Sequence, residues 1–151
     1  MALNKLRDIL IYFTLHRKDR VGRTKLLKLA YLADVAAFRE TGTTISGAQY
    51  ISYDHGPWTA DFYQALESIS GLQERVSMTP FGDSEYAYSV DFSDYGFQHL
   101  NERELGILEQ VNEKWGGTPL KAILRNVYST APYAGTAFGE AIDFARTAPR
   151  P

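Results

Sequence analysis

The sequence contains no cysteine, which excludes disulfides, thiolate metal sites and thiol nucleophiles. It has no apolar run near the ~18 residues that a membrane span needs, so no membrane partner is expected. Its first residues lack the ordered basic run, apolar core and small-residue cleavage site of a signal peptide, and a cytoplasmic location is the expectation. Histidine is scarce: His16, His55 and His99 are far apart, and none belongs to a His-Glu-x-x-His pair, so no zinc site is encoded locally. Gly42 and Gly47 have the spacing of two phosphate-loop glycines, but Ala48-Gln49 stand where Lys and Ser/Thr are required to meet phosphate and Mg²⁺. There is no Gly-x-Ser-x-Gly elbow, and no pair of carboxylates stands out as a general acid and base. We therefore expect no catalytic residues, no metal and no cofactor.

What is present describes an ordinary globular chain. With 151 residues, 44% of them hydrophobic and 23% charged, the chain is too apolar for disorder and of common single-domain size. A chain this long buries roughly 70% of its unfolded surface, enough for one core. We expect one domain over residues 1–147, with 148–151 as a flexible tail. The net charge of −2 hides an asymmetry. Residues 1–28 carry eight Lys/Arg against Asp8 and Asp19, leaving eight basic and sixteen acidic residues for the remainder. A basic end on an acidic body is either a docking surface for an acidic partner or a solvated turn between helices.

The organising stretch is Thr24 to Asp34. Leu26, Leu29, Ala30, Ala33, Ala36 and Ala37 share one arc of a helical wheel, and Leu27, Tyr31 and Phe38 form a second apolar stripe. A helix apolar over most of its circumference belongs at the centre of a fold. It is expected to start with Thr24 as N-cap, to run to about Glu40 and to end at Thr41-Gly42. Asp34 lies between the two stripes, where it either has a buried polar partner or marks a gap in the packing.

Around it, Leu3, Leu6, Ile9, Leu10 and Phe13 predict a first helix over about 3–16, followed by a polar turn over 17–23. Ala48 to Tyr53 is extended, and Gly56-Pro57 opens a third helix carrying Trp58, Phe62, Leu66 and Ile69. Tyr86, Tyr88, Val90 and Phe92 alternate as a strand, with Val76 and Met78 as its hairpin partner. Leu100 to Leu105 opens a helix through an Asn101–Glu104 capping box, and Gly116-Gly117 ends it. Thr118-Pro119 begins another, with Leu120, Ile123, Leu124 and Val127 on its apolar face. Residues 129–133 form a break, and a weaker helix covers about Phe138 to Arg146. The result is an α+β, helix-rich domain of five to six helices around a central buried helix, with a small β-hairpin or short antiparallel sheet.

Two partner readings follow from the residues. Arg17, Lys18, Arg20, Arg23, Lys25 and Lys28, with a hairpin downstream, loosely resemble the order of a winged helix-turn-helix, so a DNA-binding regulator is one alternative. The second helix is too apolar to spare a base-reading face, and the sequence pI is near 5.9, so DNA is not the favoured partner. Exposed aromatics are the better anchors for a protein partner. Tyr50, Tyr53, Trp58, Tyr86 and Tyr88 are the candidates, together with the basic residues of 17–28.

From Lys25 onward the chain resembles the SocA-like antitoxin domain, also called the Panacea domain. The resemblance rests on Lys25-Leu26-Leu27-Lys28-Leu29-Ala30-Tyr31, on the extended Ala48 to Tyr53, and on Gly56-Pro57 followed by Tyr63. The helix from Leu100 to Trp115 and the Thr130-Ala131-Pro132-Tyr133 break are similar too, although Tyr133 replaces the usual Trp. It covers roughly residues 4–133. The resemblance implies an antitoxin that neutralises a toxin encoded alongside by direct binding, either by steric block or by delivery to a protease such as an AAA+ degradation machine. It carries over no catalytic residue. Leu26, Leu29, Tyr31, Gly56, Pro57, Tyr63, Thr130 and Pro132 are its structural motif positions.

Overall fold

A computed structural model describes residues 3–146 apart from 18, 55 and 93. Lys18, His55 and the expected tail at 148–151 lie outside the described residues. The fold is α+β. In chain order it comprises α1 (Leu3–Leu15), β1 (Val21–Gly22), α2 (Arg23–Thr41), β2 (Ile51–Tyr53), β3 (Gly56–Trp58), α3 (Asp61–Glu67), β4 (Gln73–Met78) and β5 (Ser84–Ser89). Then come α4 (Glu102–Val111), which widens into a π-helical turn over Asn112–Gly116, α5 (Leu120–Ser129), α6 (Ala131–Ala134) and a 3₁₀ turn at Phe144–Arg146.

Helix α2 is the centre. Every residue from Leu26 to Val35 is buried, and the helix packs against α1, α4 and α5 and against β1, β3 and β5. It ends as expected: Gly42 adopts the left-handed conformation (φ 82°) and returns its N–H to the Phe38 carbonyl. Its start differs. Gly22, not Thr24, occupies the N-cap and offers no side chain. The cause lies elsewhere in the chain, because Val21 and Gly22 pair with Tyr88 and Ala87 of β5 and hold the backbone extended up to the helix. The expected polar turn over 17–23 therefore ends in a short strand.

The hairpin forms in continuous register from Gln73↔Ser89 to Met78↔Ser84, and β1 completes a sheet of order β1-β5-β4. The capping box of α4 also forms, with Asn101 Oδ1 accepting from the Glu104 N–H at 2.8 Å and Glu104 Oε1 accepting from the Asn101 N–H at 3.0 Å.

Four expectations are corrected. Gly56-Pro57 does not open a helix: it forms β3, antiparallel to β2, with Pro57 opposite Ser52, and α3 starts only at Asp61. Proline is tolerated because this sheet has only two strands and its missing N–H faces no ladder interior. No helix spans 138–146. That segment lies along β2 instead, through Gly139 N–H to Ser52 O, Ser52 N–H to Glu140 O and Ile142 N–H to Tyr50 O. The break at 129–133 is shorter than expected, because Ala131–Ala134 makes a helical turn. Leu120, expected on the apolar face of α5, is exposed, while Ile123 and Val127 are buried.

Candidate functional site

Two buried polar groups on α2 shape the surface above it. Asp34 is fully buried and its carboxylate accepts four hydrogen bonds: from the N–H groups of Ile45 and Ser46 at 2.9 Å, from Ser46 Oγ at 2.6 Å and from the Tyr50 hydroxyl at 2.9 Å. Burial pushes its carboxyl above the ordinary range, and these donors pull it back in part. Its position on the wheel is therefore that of a group with buried polar partners, not a gap in the packing. They also fix the loop that leads into β2.

Lys28 is buried too. Among the described residues it forms no ion pair with a carboxylate; its Nζ donates to the Pro57 carbonyl at 2.7 Å, and burial lowers its pKa to about 8. The bond clamps β3 onto α2. Gly56 completes the clamp, since its backbone sits at φ 102° and a Cβ there would stand 3.2 Å from the Tyr128 ring and 3.3 Å from Lys28 Cε. Tyr31, fully buried, reaches the Thr130 hydroxyl at 2.7 Å and edges onto Tyr50. The motif positions Leu26, Leu29, Tyr31, Gly56, Pro57 and Pro132 are all buried, and Thr130 is half-buried. Tyr63 is exposed.

The β2–β3 hairpin held in this way presents a run of aromatic rings at the surface. Phe138 stacks on Tyr53 (centroids 5.8 Å, planes 13° apart), Tyr53 meets Trp58 at 5.7 Å, and Trp58 meets Tyr63 at 6.2 Å. Arg23 continues the run. Its guanidinium lies 5.2 Å from the Tyr63 centroid and 3.7 Å from that of Tyr86, its Nε donates to the Tyr88 hydroxyl at 2.7 Å, and its Nη2 stands 3.6 Å from Glu74. Offset and tilted rings at these separations attract one another beyond their area burial, so the ladder is preorganised.

The candidates nominated from sequence therefore separate. Tyr53, Trp58, Arg23 and Tyr86 come together, joined by Tyr63, a motif position expected to be structural. Tyr50 and Tyr88 are fully buried and are not surface anchors. The basic segment does not form one surface. Lys28 points inward, Arg17 lies against Gly116 and Gly117, Arg20 is exposed beside the hairpin, and Lys25 is half-buried, its pKa lowered by burial and by Arg17. Helix α2, buried at every position from Leu26 to Val35, presents no exposed face there for reading a DNA groove. Phe138 joins this run although its sequence context predicts a weak helix, since Tyr53 lies 85 positions away and gives no local sign of it.

A family model described as "Antitoxin SocA-like, Panacea domain" matches residues 26–132, well over half of the chain, and the protein belongs to that family. No curated protein and no solved structure matches the chain. The match runs from the first buried leucine of α2 to Pro132, and so takes in both the Lys28–Pro57 clamp and the Tyr31–Thr130 contact. No helix among the described residues is long and apolar enough to cross a membrane.

Proposed function

We propose that this protein is the antitoxin of a toxin–antitoxin pair and neutralises its toxin by direct, stoichiometric binding through the Phe138–Tyr53–Trp58–Tyr63–Arg23 face. Membership of the antitoxin family supplies the kind of partner. The observation that carries the choice of face is a run of touching rings, one pair stacked and two tilted, in which exposed Phe138, Tyr53 and Tyr63 flank half-buried Trp58 and which ends on the half-buried Arg23 guanidinium. Aromatic and arginine side chains dominate the binding energy of protein interfaces, and rings already locked against each other lose little entropy on docking. Such a rigid face acts by covering the toxin's active surface. Delivery of the toxin to an AAA+ protease is the second mechanism, and it requires the same first contact. No chemistry by the antitoxin itself is invoked.

Co-expression with the product of the adjacent open reading frame tests this. Wild type should restore growth with toxin levels unchanged if the toxin is covered, and with toxin levels reduced if it is delivered. Tyr53→Ala combined with Phe138→Ala alters exposed rings and should abolish rescue while leaving the far-UV circular dichroism unchanged. A neighbour that is harmless when expressed alone, or full rescue by the double variant, overturns the reading.

A further inference from the structure

Strand β4 is the edge of its sheet, and among the described residues no strand lies on its far side. Natural edge strands are blunted by charged side chains, proline, a bulge or a covering element, and of these β4 has only Glu74 and Arg75 at its start, leaving Val76 to Met78 without one. β4 has no proline and keeps unbroken register over all six residues, every one of them exposed. Its charged residue on the Tyr86 side, Glu74, is already engaged by Arg23. On that same side Val76 is 53% and Met78 70% exposed, and Phe81 at the hairpin tip is 91% exposed. Two large side chains in alternate positions on an open edge are an aggregation hazard unless something covers them.

The other face differs in chemistry. Arg75 and Ser77 line a surface cleft of about 570 Å³ with Ala87, Ser89, Asp19 and Arg20. Neither Arg75 nor Arg20 has an ion-pair partner among the described residues. A strand laid against the free edge of β4 would therefore meet Val76 and Met78 on one face and Arg75 on the other; Arg20 lies across β5, on the β1 side of the sheet.

We propose that the free edge of β4 binds the partner protein by strand addition, taking an extended segment in which apolar residues alternate with acidic ones. Backbone hydrogen bonds supply the affinity, and the alternation supplies the specificity. Self-pairing of two copies gives Arg75 no acid: in a symmetric antiparallel pair it meets Gln73 when centred on Glu74, arginine when centred on itself, Ser77 when centred on Val76 and Thr79 when centred on Ser77, the register that sets Val76 against Met78. The identity of the partner as a toxin rests on the reading above; the edge itself does not.

The test uses the full chain with two short synthetic peptides, one alternating valine with glutamate and one alternating valine with lysine. Backbone amide shifts and exchange protection are followed by NMR. The glutamate peptide should perturb and protect residues 73–78 and should bind about fivefold tighter than the lysine peptide, the size expected of one or two cross-strand charge pairs. Arg75→Glu should invert that order. Val76→Lys and Met78→Lys, both at exposed positions, should abolish binding and leave the remaining amide spectrum intact. Three results overturn the inference: no perturbation at 73–78, equal binding of both peptides, or a concentration-dependent dimer that Val76→Lys dissolves. Growth rescue without any peptide binding at β4 removes strand addition and leaves the antitoxin reading standing. Peptide binding at β4 without rescue supports the edge and removes that reading.

Discussion

The ammonium of Lys28 donates to the Pro57 carbonyl across 2.7 Å, joining the central helix to the strand beneath the aromatic ladder. A buried cation that meets a carbonyl and, among the described residues, no carboxylate makes the stability of the fold depend on its protonation.

Burial lowers Lys28 from 10.5 to about 8 in the folded protein. Between these values the unfolded chain binds the extra proton, so stability rises as pH increases from about 8 towards 10.5 and is lost as pH falls back through 8. The shift corresponds to about 3 kcal/mol at most. Tyr31, pushed up to about 12 by burial, has the opposite effect at the top of the range, as unfolded tyrosine ionises first above pH 10. Urea unfolding of wild type and Lys28→Met should therefore be compared over pH 7–10, where wild type gains on the variant as pH rises. A constant difference across that window would contradict the clamp's electrostatics.

Asp34→Ala strands four donors, those of Ile45, Ser46 (backbone and hydroxyl) and Tyr50, in the interior. Each unsatisfied buried group costs about 1–3 kcal/mol, so a loss of at least about 3 kcal/mol is expected by denaturant titration. A loss below about 1 kcal/mol, within the range of an ordinary surface substitution, would show that water replaces the carboxylate.

Gly56→Ala combines a left-handed backbone with contact against Tyr128 and Lys28. It should destabilise by about 1–3 kcal/mol, and it should shift the Trp58 fluorescence, since β3 must move to relieve the strain. Unchanged emission together with wild-type stability would mean that the turn absorbs the methyl group elsewhere.

Arg23→Ala removes the guanidinium over Tyr86 and the hydrogen bond to Tyr88. We expect a loss of about 1–2 kcal/mol and faster amide exchange over 73–89 than elsewhere. Arg23→Lys should recover less than half of it, because an ammonium cannot both stack on a ring and hold the fork geometry. Uniform exchange across the chain would place the effect outside the hairpin.

Much of the fold was legible because it is encoded locally. The wheel of α2, the Asn101–Glu104 box and the alternation of β5 each concern residues within a few positions of one another, where periodicity and capping act directly. Gly56-Pro57 misled for the converse reason. Proline suits a helix start by its own φ, but pairing with Ile51–Tyr53 and a hydrogen bond from Lys28, 29 positions earlier, outweigh that preference. Val21-Gly22 is extended only because β5 is there to receive it, and the turn at 138–140 with the bridge at Ala141 is held by hydrogen bonds to residues 50–52.

The sequence by itself determined the central buried helix, the hairpin, the α+β class and the antitoxin-family motif, since these depend on residue type and short spacing. Only the tertiary structure decided which aromatics face water. Tyr50 and Tyr53 lie three residues apart and read alike, yet Tyr50 is sealed against Asp34 and Tyr53 stands in the open beside Phe138. Burial of a ring depends on what distant segments bring against it, and spacing along one chain segment carries no record of that.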